Sequence, residues 1–282
     1  MLPVSVVLQI YNAEAFLHET IESVLNQTFD NFELIIADNG STDRSKEIVL
    51  SYEDPRIRYV FCKHDFIGTY RKGYKLAAGK YIAHLDHDDK MAPERLHIQF
   101  DFMESHPEID ACGGYMHSFG KYSRLMTTPF LNHDDMAIQI IEGMPVHNPT
   151  GFFRKEFLTR NKIMPKRGYS FAADYKFWAD IAKAGRIANI PQVLTYYRTY
   201  DTQTHIVHRK EMLLPSWKVQ NEMIAYFISK LNPDSDIFKI VTKKILPSIE
   251  KLIEMEYFSV KGYLHFMYEL ICNLKNNNEI KL

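Results

Sequence analysis

The stretch Tyr81-Ile82-Ala83-His84-Leu85-Asp86-His87-Asp88-Asp89 decides the fold. Five mostly apolar residues open it and read as a buried strand. Three carboxylates within four positions close it. In open α/β sheets, ligands collect beyond the carboxyl ends of strands. Like charges this close repel, and a divalent cation relieves the repulsion. Hard oxygen donors of this kind suit Mn²⁺ or Mg²⁺. Such a cation most often serves a phosphorylated or nucleotide-linked substrate. A solvated acidic turn after a strand is the plain alternative, because an Asp-x-Asp alone is a common pattern. The flanking segments bear on that choice.

Upstream, Val4 to Ile10 is a β-branched apolar run that predicts the first strand, ended by the polar Tyr11-Asn12-Ala13-Glu14. Leu17, Ile21, Val24 and Leu25 recur at helical spacing and predict a helix ending near Gln27. Phe32 to Ala37 predicts a second strand. Asp38-Asn39-Gly40-Ser41-Thr42-Asp43 then predicts a turn and a helix to about Tyr52, with Ser41 or Thr42 as cap and Asp43 at the positive end of the dipole. Ile57 to Phe61 predicts a third strand, and Gly73 to Ala78 a helix with Gly79 at its C′ position. Strands alternating with helices imply a parallel sheet with helices on its faces. The ends of strands one, two and four then share one rim, which brings Tyr11, Asp38 and Asp86-His87-Asp88 to the same side.

Downstream, Pro93 occupies a first-helical position, and the helix carries Leu96, Phe100 and Met103 on one face. Ile109 to Tyr115 predicts a strand. Residues 120–150 are loop-rich, with one helix near Asp135 to Glu142. Asn148 to Arg154 leads into a short helix from Lys155. Asp174 opens a further helix with Phe177, Trp178, Ile181 and Ala182 inside and Gly185 as its stop. Taken alone, Asp174 is a first-turn or capping acid. Val193 to Arg198 predicts the next strand. Past about His205, three helical stretches follow: Met212 to Leu231, Ile237 to Leu246 and Pro247 to Leu274. In the last, Val260, Tyr263, Leu264, Met267, Leu270, Ile271 and Leu274 form a stripe that predicts core packing. A homodimer face or peripheral membrane contact is the alternative, and Lys261, Lys275 and Lys281 are few for anionic lipid.

The 282 residues carry 34 Lys+Arg against 35 Asp+Glu, so no excess of positive charge points to nucleic acid. Cys62, Cys112 and Cys272 are far apart and odd in number, which argues against a disulfide framework or a zinc site. Met1 to Ser5 carries no basic n-region, and no run approaches the length of a transmembrane helix, so a cytoplasmic protein is expected. Gly68 to Gly73 has the glycines of a P-loop, but Tyr74 stands where Lys is needed. No GxGxxG follows the first strand, which disfavours a dinucleotide site.

Together these segments resemble the family 2 glycosyltransferases. The resemblance covers roughly the first 200 residues. It rests on Val4 through Tyr11-Asn12, Ser23-Val24-Leu25-Asn26-Gln27-Thr28, Phe32 through Ile36, Asp38 through Asp43, Ala78-Gly79-Lys80-Tyr81-Ile82, Leu85 through Asp89, Pro93-Glu94-Arg95-Leu96 and Ala173-Asp174-Tyr175, in that order. It implies an α/β GT-A fold, Rossmann-like, with a mostly parallel central sheet flanked by helices. Residues 1–205 would form the catalytic domain and 206–282 a C-terminal helical region. It implies an inverting, metal-dependent transferase that moves a sugar from a nucleotide-sugar donor, a UDP-sugar, to a glycan or lipid-linked saccharide acceptor in polysaccharide biosynthesis. The setting implied is cytoplasmic, at the inner face of the membrane.

The implied roles are chemically coherent. Tyr11 stacks on the donor base and Asp38 accepts the uracil imide N–H, with Asn12, Glu14, Arg71 and His87 also lining the donor site. Asp86 binds ribose or helps Asp88 hold Mn²⁺ or Mg²⁺, and Asp174 accepts the proton of the attacking hydroxyl. The chain departs from the family pattern at several places. Gln9-Ile10 replaces Pro-Thr, Arg71 stands where Asn is frequent, and Ala173 replaces Glu. Tyr200 stands where many members place a metal- or diphosphate-touching His. His205 or His208 is the candidate substitute, with a solvated loop histidine as the alternative, and the same two readings apply to His147. These departures motivate a rival reading: a non-catalytic nucleotide-sugar-binding protein on the same fold. A sugar-nucleotide pyrophosphorylase would need a Gly-rich loop after the first strand, which Tyr11 to Glu14 is not.

Overall fold

The computed structural model describes residues 2–246 and 260–280. One nine-stranded sheet has the order β3-β2-β1-β4-β8-β6-β9-β5, with β7 beside β6. Its strands are β1 Val4–Ile10, β2 Phe32–Asp38, β3 Ile57–Phe61, β4 Tyr81–Asp86, β5 Lys90–Met91, β6 Ala111–Gly120, β7 Arg124–Met126, β8 Phe152–Arg154 and β9 Ile187–Thr199. The first four are parallel, as alternating strands and helices require. The second half is mixed: β8 runs antiparallel to both β4 and β6, whereas β6 and β9 are parallel.

The strands alternate between two cores. Val4, Val6, Leu8, Leu34, Ile36, Tyr81, Ala83 and Leu85 face helices α1 Leu17–Leu25, α2 Ser45–Leu50 and α4 Arg95–Ser105. Val7, Ile35 and Ile82 face the other way, toward α3 Phe66–Leu76, α5 His133–Gln139, α6 Lys155–Arg160 and α7 Ala173–Ala184. This period of two leaves His84 and Asp86 on the second face, at the end of β4. The later helices are α8 Thr204–Val207, α9 Leu213–Ile228, α10 Asp236–Ile240, continued by a π-helical turn Val241–Ile245, and α11 Val260–Asn276. Val219, Met223 and Phe227 of α9 and Tyr263, Leu264, Met267, Ile271 and Leu274 of α11 join the same core as Phe177. From Tyr263 to Leu274 the expected stripe is therefore inside, with Leu270 half-buried. The first part of the predicted 247–274 helix, residues 247–259, lies outside the described residues.

Several boundaries differ from the sequence expectation. Helix α2 begins at Ser45, with no side-chain cap. Ser41 and Thr42 are engaged elsewhere: the Asn12 N–H donates to Ser41 Oγ (3.0 Å) and the Thr42 N–H donates to Asn12 Oδ1 (2.9 Å). Helix α3 starts seven residues before Gly73, capped by Asp65, which accepts the Gly68 N–H (3.1 Å). Gly73 sits inside it because a Cβ there would lie 2.7 Å from Val7 Cγ1, so glycine lets the helix lie on the sheet. Gly79 is no C′ residue either. A Cβ there would stand 2.5 Å from the Ser5 backbone nitrogen, so this glycine serves close approach of two strands. Helix α4 begins at Arg95 rather than Pro93.

Candidate active site

The pairing register aligns the rim. Ile10 lies opposite Asp38, and Gln9 lies opposite Asp86. Strand β1, flanked by β2 on one side and β4 on the other, is where the strand order reverses, and such a switch point opens a crevice at the strand ends.

On the β2 side, two loops brace each other. Ala13 N–H donates to Ser45 Oγ (2.8 Å), Glu14 N–H to Asp43 Oδ2 (2.9 Å), and Arg44 N–H to Glu14 Oε2 (3.0 Å). Asn12 takes a left-handed φ of 47°, which Asn tolerates. The Asn12 and Glu14 side chains are thus committed to holding the loops. Asp38 is wholly buried: it accepts the Ser41 N–H (2.8 Å) and the Tyr59 hydroxyl (2.6 Å) and so shapes the turn. Tyr11 is exposed, its ring 4.7 Å from that of His64. Arg71 lies on α3, partly buried, and its charge acts on Asp65.

On the β4 side, His84 is buried, stacks on Tyr70 at 5.0 Å and bonds through Nε2 to Asp86 Oδ1 (3.0 Å). Burial opposes the Asp86 charge, but the His84 bond and the nearby His84, His87 and Arg95 charges hold its carboxyl below the usual range. The Tyr200 hydroxyl donates to Asp88 Oδ2 (2.7 Å). The Arg198 Nε donates to the Asp88 carbonyl and its N–H to Asp89 Oδ1, both at 2.8 Å. His87 offers its carbonyl to Thr20 Oγ1 (2.9 Å). Asp89 is fully buried with Oδ2 unpartnered, and burial together with the Asp88 and Asp86 charges pushes its carboxyl well up.

Asp174 arrives from α7, whose Phe177 packs on Phe153 (5.3 Å) and Tyr74 (5.8 Å). Its carboxylate accepts the Tyr175 N–H at 2.7 Å. Burial pushes the carboxyl up to about 6 against that bond, and the Asp86 charge adds to the rise. The Tyr70 phenol feels both Asp86 and Asp174. The charges of the two acids therefore reach one another, although 88 residues separate them in sequence (174 − 86).

A divalent cation fits this donor set. Asp86 and Asp88 offer partly exposed carboxylates at one strand end, and the next residue, Asp89, is buried with Oδ2 unpartnered. Among the described residues no three His, Cys, Asp or Glu side chains form a ready-made cage. His205 is exposed, with Nδ1 3.4 Å from the Tyr197 hydroxyl. His208 stacks on Phe171 at 4.3 Å, and His147 is mostly buried with Nε2 unpartnered.

The sequence reading missed the scaffold of the site. Arg95 is fully buried and donates to the carbonyls of His84 (2.7 Å), Pro149 (2.7 Å) and Gly151 (3.3 Å), to Thr195 Oγ1 (3.0 Å) and to Gln99 Oε1 (2.9 Å). Its signal was faint: an arginine directly before the apolar face of a helix. The roles of Arg198 and His84 were missed as well. The period of two along β4 already put His84 on the same face as Asp86.

The Glycosyl transferase family 2 model matches residues 5–178. An uncharacterized glycosyltransferase of Haemophilus influenzae is 30% identical over 306 residues, spanning 98% of this chain and 94% of that protein. The Escherichia coli UDP-Glc:alpha-D-GlcNAc-diphosphoundecaprenol beta-1,3-glucosyltransferase WfaP is 29% identical over 221 residues, 76% of this chain and 84% of that one. Of three similar Rickettsia proteins the chain spans about a third. Among solved structures, S. aureus TarS 1-349 in complex with UDP-GlcNAc matches with a TM-score of 0.66 at 19% identity, over 83% of this chain and 67% of that one. Mannosyltransferase PcManGT from Pyrobaculum calidifontis, in complex with GDP-Man and Mn2+, matches at 0.56 and 13% identity, over 95% of this chain and 86% of that one. These two likenesses give the GT-A architecture. With the family match running from the first strand into α7, and with a relative aligned along nearly its whole length, the chain belongs to glycosyl transferase family 2.

Proposed function

We propose that the protein transfers a sugar from a nucleotide-sugar, a UDP-sugar, to a hydroxyl of a glycan or lipid-linked saccharide, with inversion at the anomeric carbon. What supports this reading is that Asp174 is placed where the Asp86 charge reaches it, and that burial pushes its carboxyl up to about 6. Such a group is ionised at neutral pH and still basic enough to accept a hydroxyl proton as attack proceeds. One base and one direct displacement invert the centre, whereas retention needs a second displacement or another route.

Tyr11 stacks on the base, above a turn whose shape the buried Asp38 maintains. Asp88 and Asp86 are the residues that would hold Mn²⁺ or Mg²⁺, with Tyr200 orienting Asp88. When bound, the cation offsets charge on the leaving nucleoside diphosphate. Arg71 of α3 would supply a positive charge toward the donor. A UDP donor is favoured because WfaP uses UDP-Glc and TarS binds UDP-GlcNAc, and WfaP's diphosphoundecaprenol-linked acceptor supports a lipid-linked one. Such an acceptor would bring the protein to the inner face of a membrane. No described helix is long and apolar enough to cross one.

The test is release of UDP from a panel of UDP-sugars with Mn²⁺ and candidate acceptors, with Asp174→Asn as control. A variant as active as the parent would remove Asp174 from the chemistry. Tight UDP binding without turnover over a broad acceptor panel would favour the non-catalytic reading.

A further inference from the structure

The segment that leaves β9 and enters α9 carries apolar side chains into water. Ile206 is 47% exposed, Val207 55%, Leu213 66% and Leu214 71%. Leu213 and Leu214 are the two most exposed large apolar side chains among the described residues. Leu50, Tyr122 and Leu125 are also exposed but stand in other parts of the chain, whereas these four fall within nine positions. An apolar concentration of this kind marks a contact surface.

Arg209 and Lys210 lie between the two apolar pairs, both exposed. Lys218 follows, its ammonium 4.3 Å from the centre of the Tyr169 ring. Glu211 is the one acid from Thr204 through Lys218, and His208 Nδ1 lies 3.5 Å from it. On a chain of net charge -1 this cation excess is local. Cations interleaved with bare aliphatic tips suit a bilayer interface. The tips enter the acyl boundary, and the long basic side chains reach back to phosphates.

The face also borders the site. His205 meets the Tyr197 hydroxyl (3.4 Å), and the His208 ring stacks on Phe171 at 4.3 Å and 12°. Phe171 is itself exposed and precedes Asp174 by three residues. We infer that Ile206, Val207, Leu213 and Leu214, with Arg209, Lys210 and Lys218, form a docking surface for an anionic membrane, beside the mouth of the site. This deepens the proposed transfer to a lipid-linked acceptor and rests on that reading for its purpose. The surface itself stands on the exposed residues.

The experiment is co-sedimentation of the full chain with phosphatidylglycerol-containing vesicles and with pure phosphatidylcholine vesicles. Binding is expected to the anionic vesicles and to weaken at high salt. The double variant Leu213→Asp/Leu214→Asp should lose on the order of tenfold or more in affinity with an unchanged melting temperature. Arg209→Glu/Lys210→Glu should abolish the preference for anionic lipid. Parent protein that stays in the supernatant, or a Leu213/Leu214 variant that binds like the parent, overturns the inference. So does sedimentation velocity showing a dimer that the same variant dissolves, which would assign the face to a second copy. UDP binding measured in parallel separates the two readings. Lost vesicle binding with retained UDP binding removes the membrane surface alone, and the reverse removes the transfer reading alone.

Discussion

The Tyr200 hydroxyl donates to Asp88 Oδ2 at 2.7 Å, across 112 positions of chain. Tyr200 stands where the resemblance gives many members a metal- or diphosphate-touching histidine, and here it reaches the Asp88 carboxylate. Tyr200 also packs on Phe16, with ring centroids 5.3 Å apart, so its position is fixed from behind. Groups that orient a ligating carboxylate typically contribute 10–100-fold to metal affinity. Tyr200→Phe keeps the ring and removes the bond. Its Mn²⁺ affinity, measured by calorimetry in the presence of UDP, should fall about tenfold or more. Unchanged affinity would place Asp88 outside the cation site.

Tyr11 offers the exposed aromatic face on the β1 loop, set against His64. Base-on-aromatic stacking is worth about 1–3 kcal/mol. Tyr11→Ala should therefore weaken UDP binding by about tenfold, while Tyr11→Phe should keep most of it. Equal binding by all three forms would show that the base lies elsewhere.

The fold was legible where periodicity is strong. Strands β1 and β3 match the expected limits residue for residue, because each is a short apolar run bounded by polar punctuation. The acids of the rim were legible for the same reason: each ends such a run. Asp38, Asn12 and Glu14 were found but are engaged in bracing the loops, which no spacing rule reports. Helix α3 begins earlier than its sequence suggests because Gly68 and Gly73 weaken its helical signal, while close packing on Val7 requires the second of them. Strand β8, only three residues long, is held by pairing to β4 and β6, and such long-range pairing leaves little local trace. Arg95 escaped because a buried arginine is defined by the carbonyls it meets, and these come from two distant segments, at His84 and at Pro149 to Gly151.

Arg95 gives the strongest stability prediction. Arg95→Met keeps the bulk but strips the His84 carbonyl of its guanidinium donor, whereas the Pro149 carbonyl keeps Thr195 Oγ1 (3.2 Å) and the Gly151 carbonyl keeps the His84 N–H (2.8 Å). Each buried acceptor left unsatisfied costs about 1–3 kcal/mol. Burial also penalises the Arg95 charge and lowers its pKa to about 9, so losing the charge returns part of that. A net loss of about 1–3 kcal/mol in urea unfolding is expected. The end of β4 should loosen with it, so UDP and Mn²⁺ binding should weaken even at temperatures where the variant is folded.

Asp174 links stability to activity through its proton. Its folded value of about 6 lies above its ordinary 3.8, so the folded state holds that proton more tightly than the unfolded chain does. The ionised carboxylate is therefore a cost to the fold. The cost is absent below about pH 4, where both states are protonated, and complete above about pH 6. Asp174→Asn removes it. The variant should melt above the parent at about pH 8, and the two should converge as the pH falls toward about 4. Activity should move the opposite way. The parent's kcat/KM should rise with pH up to about 6 and then level as the base ionises, and the variant should lose about 10²–10⁴-fold with no such rise. A variant that melts like the parent at every pH would mean that Asp174 is solvated and unstrained. An acid in that state would have no reason to titrate near 6, and the base assignment would fall with it.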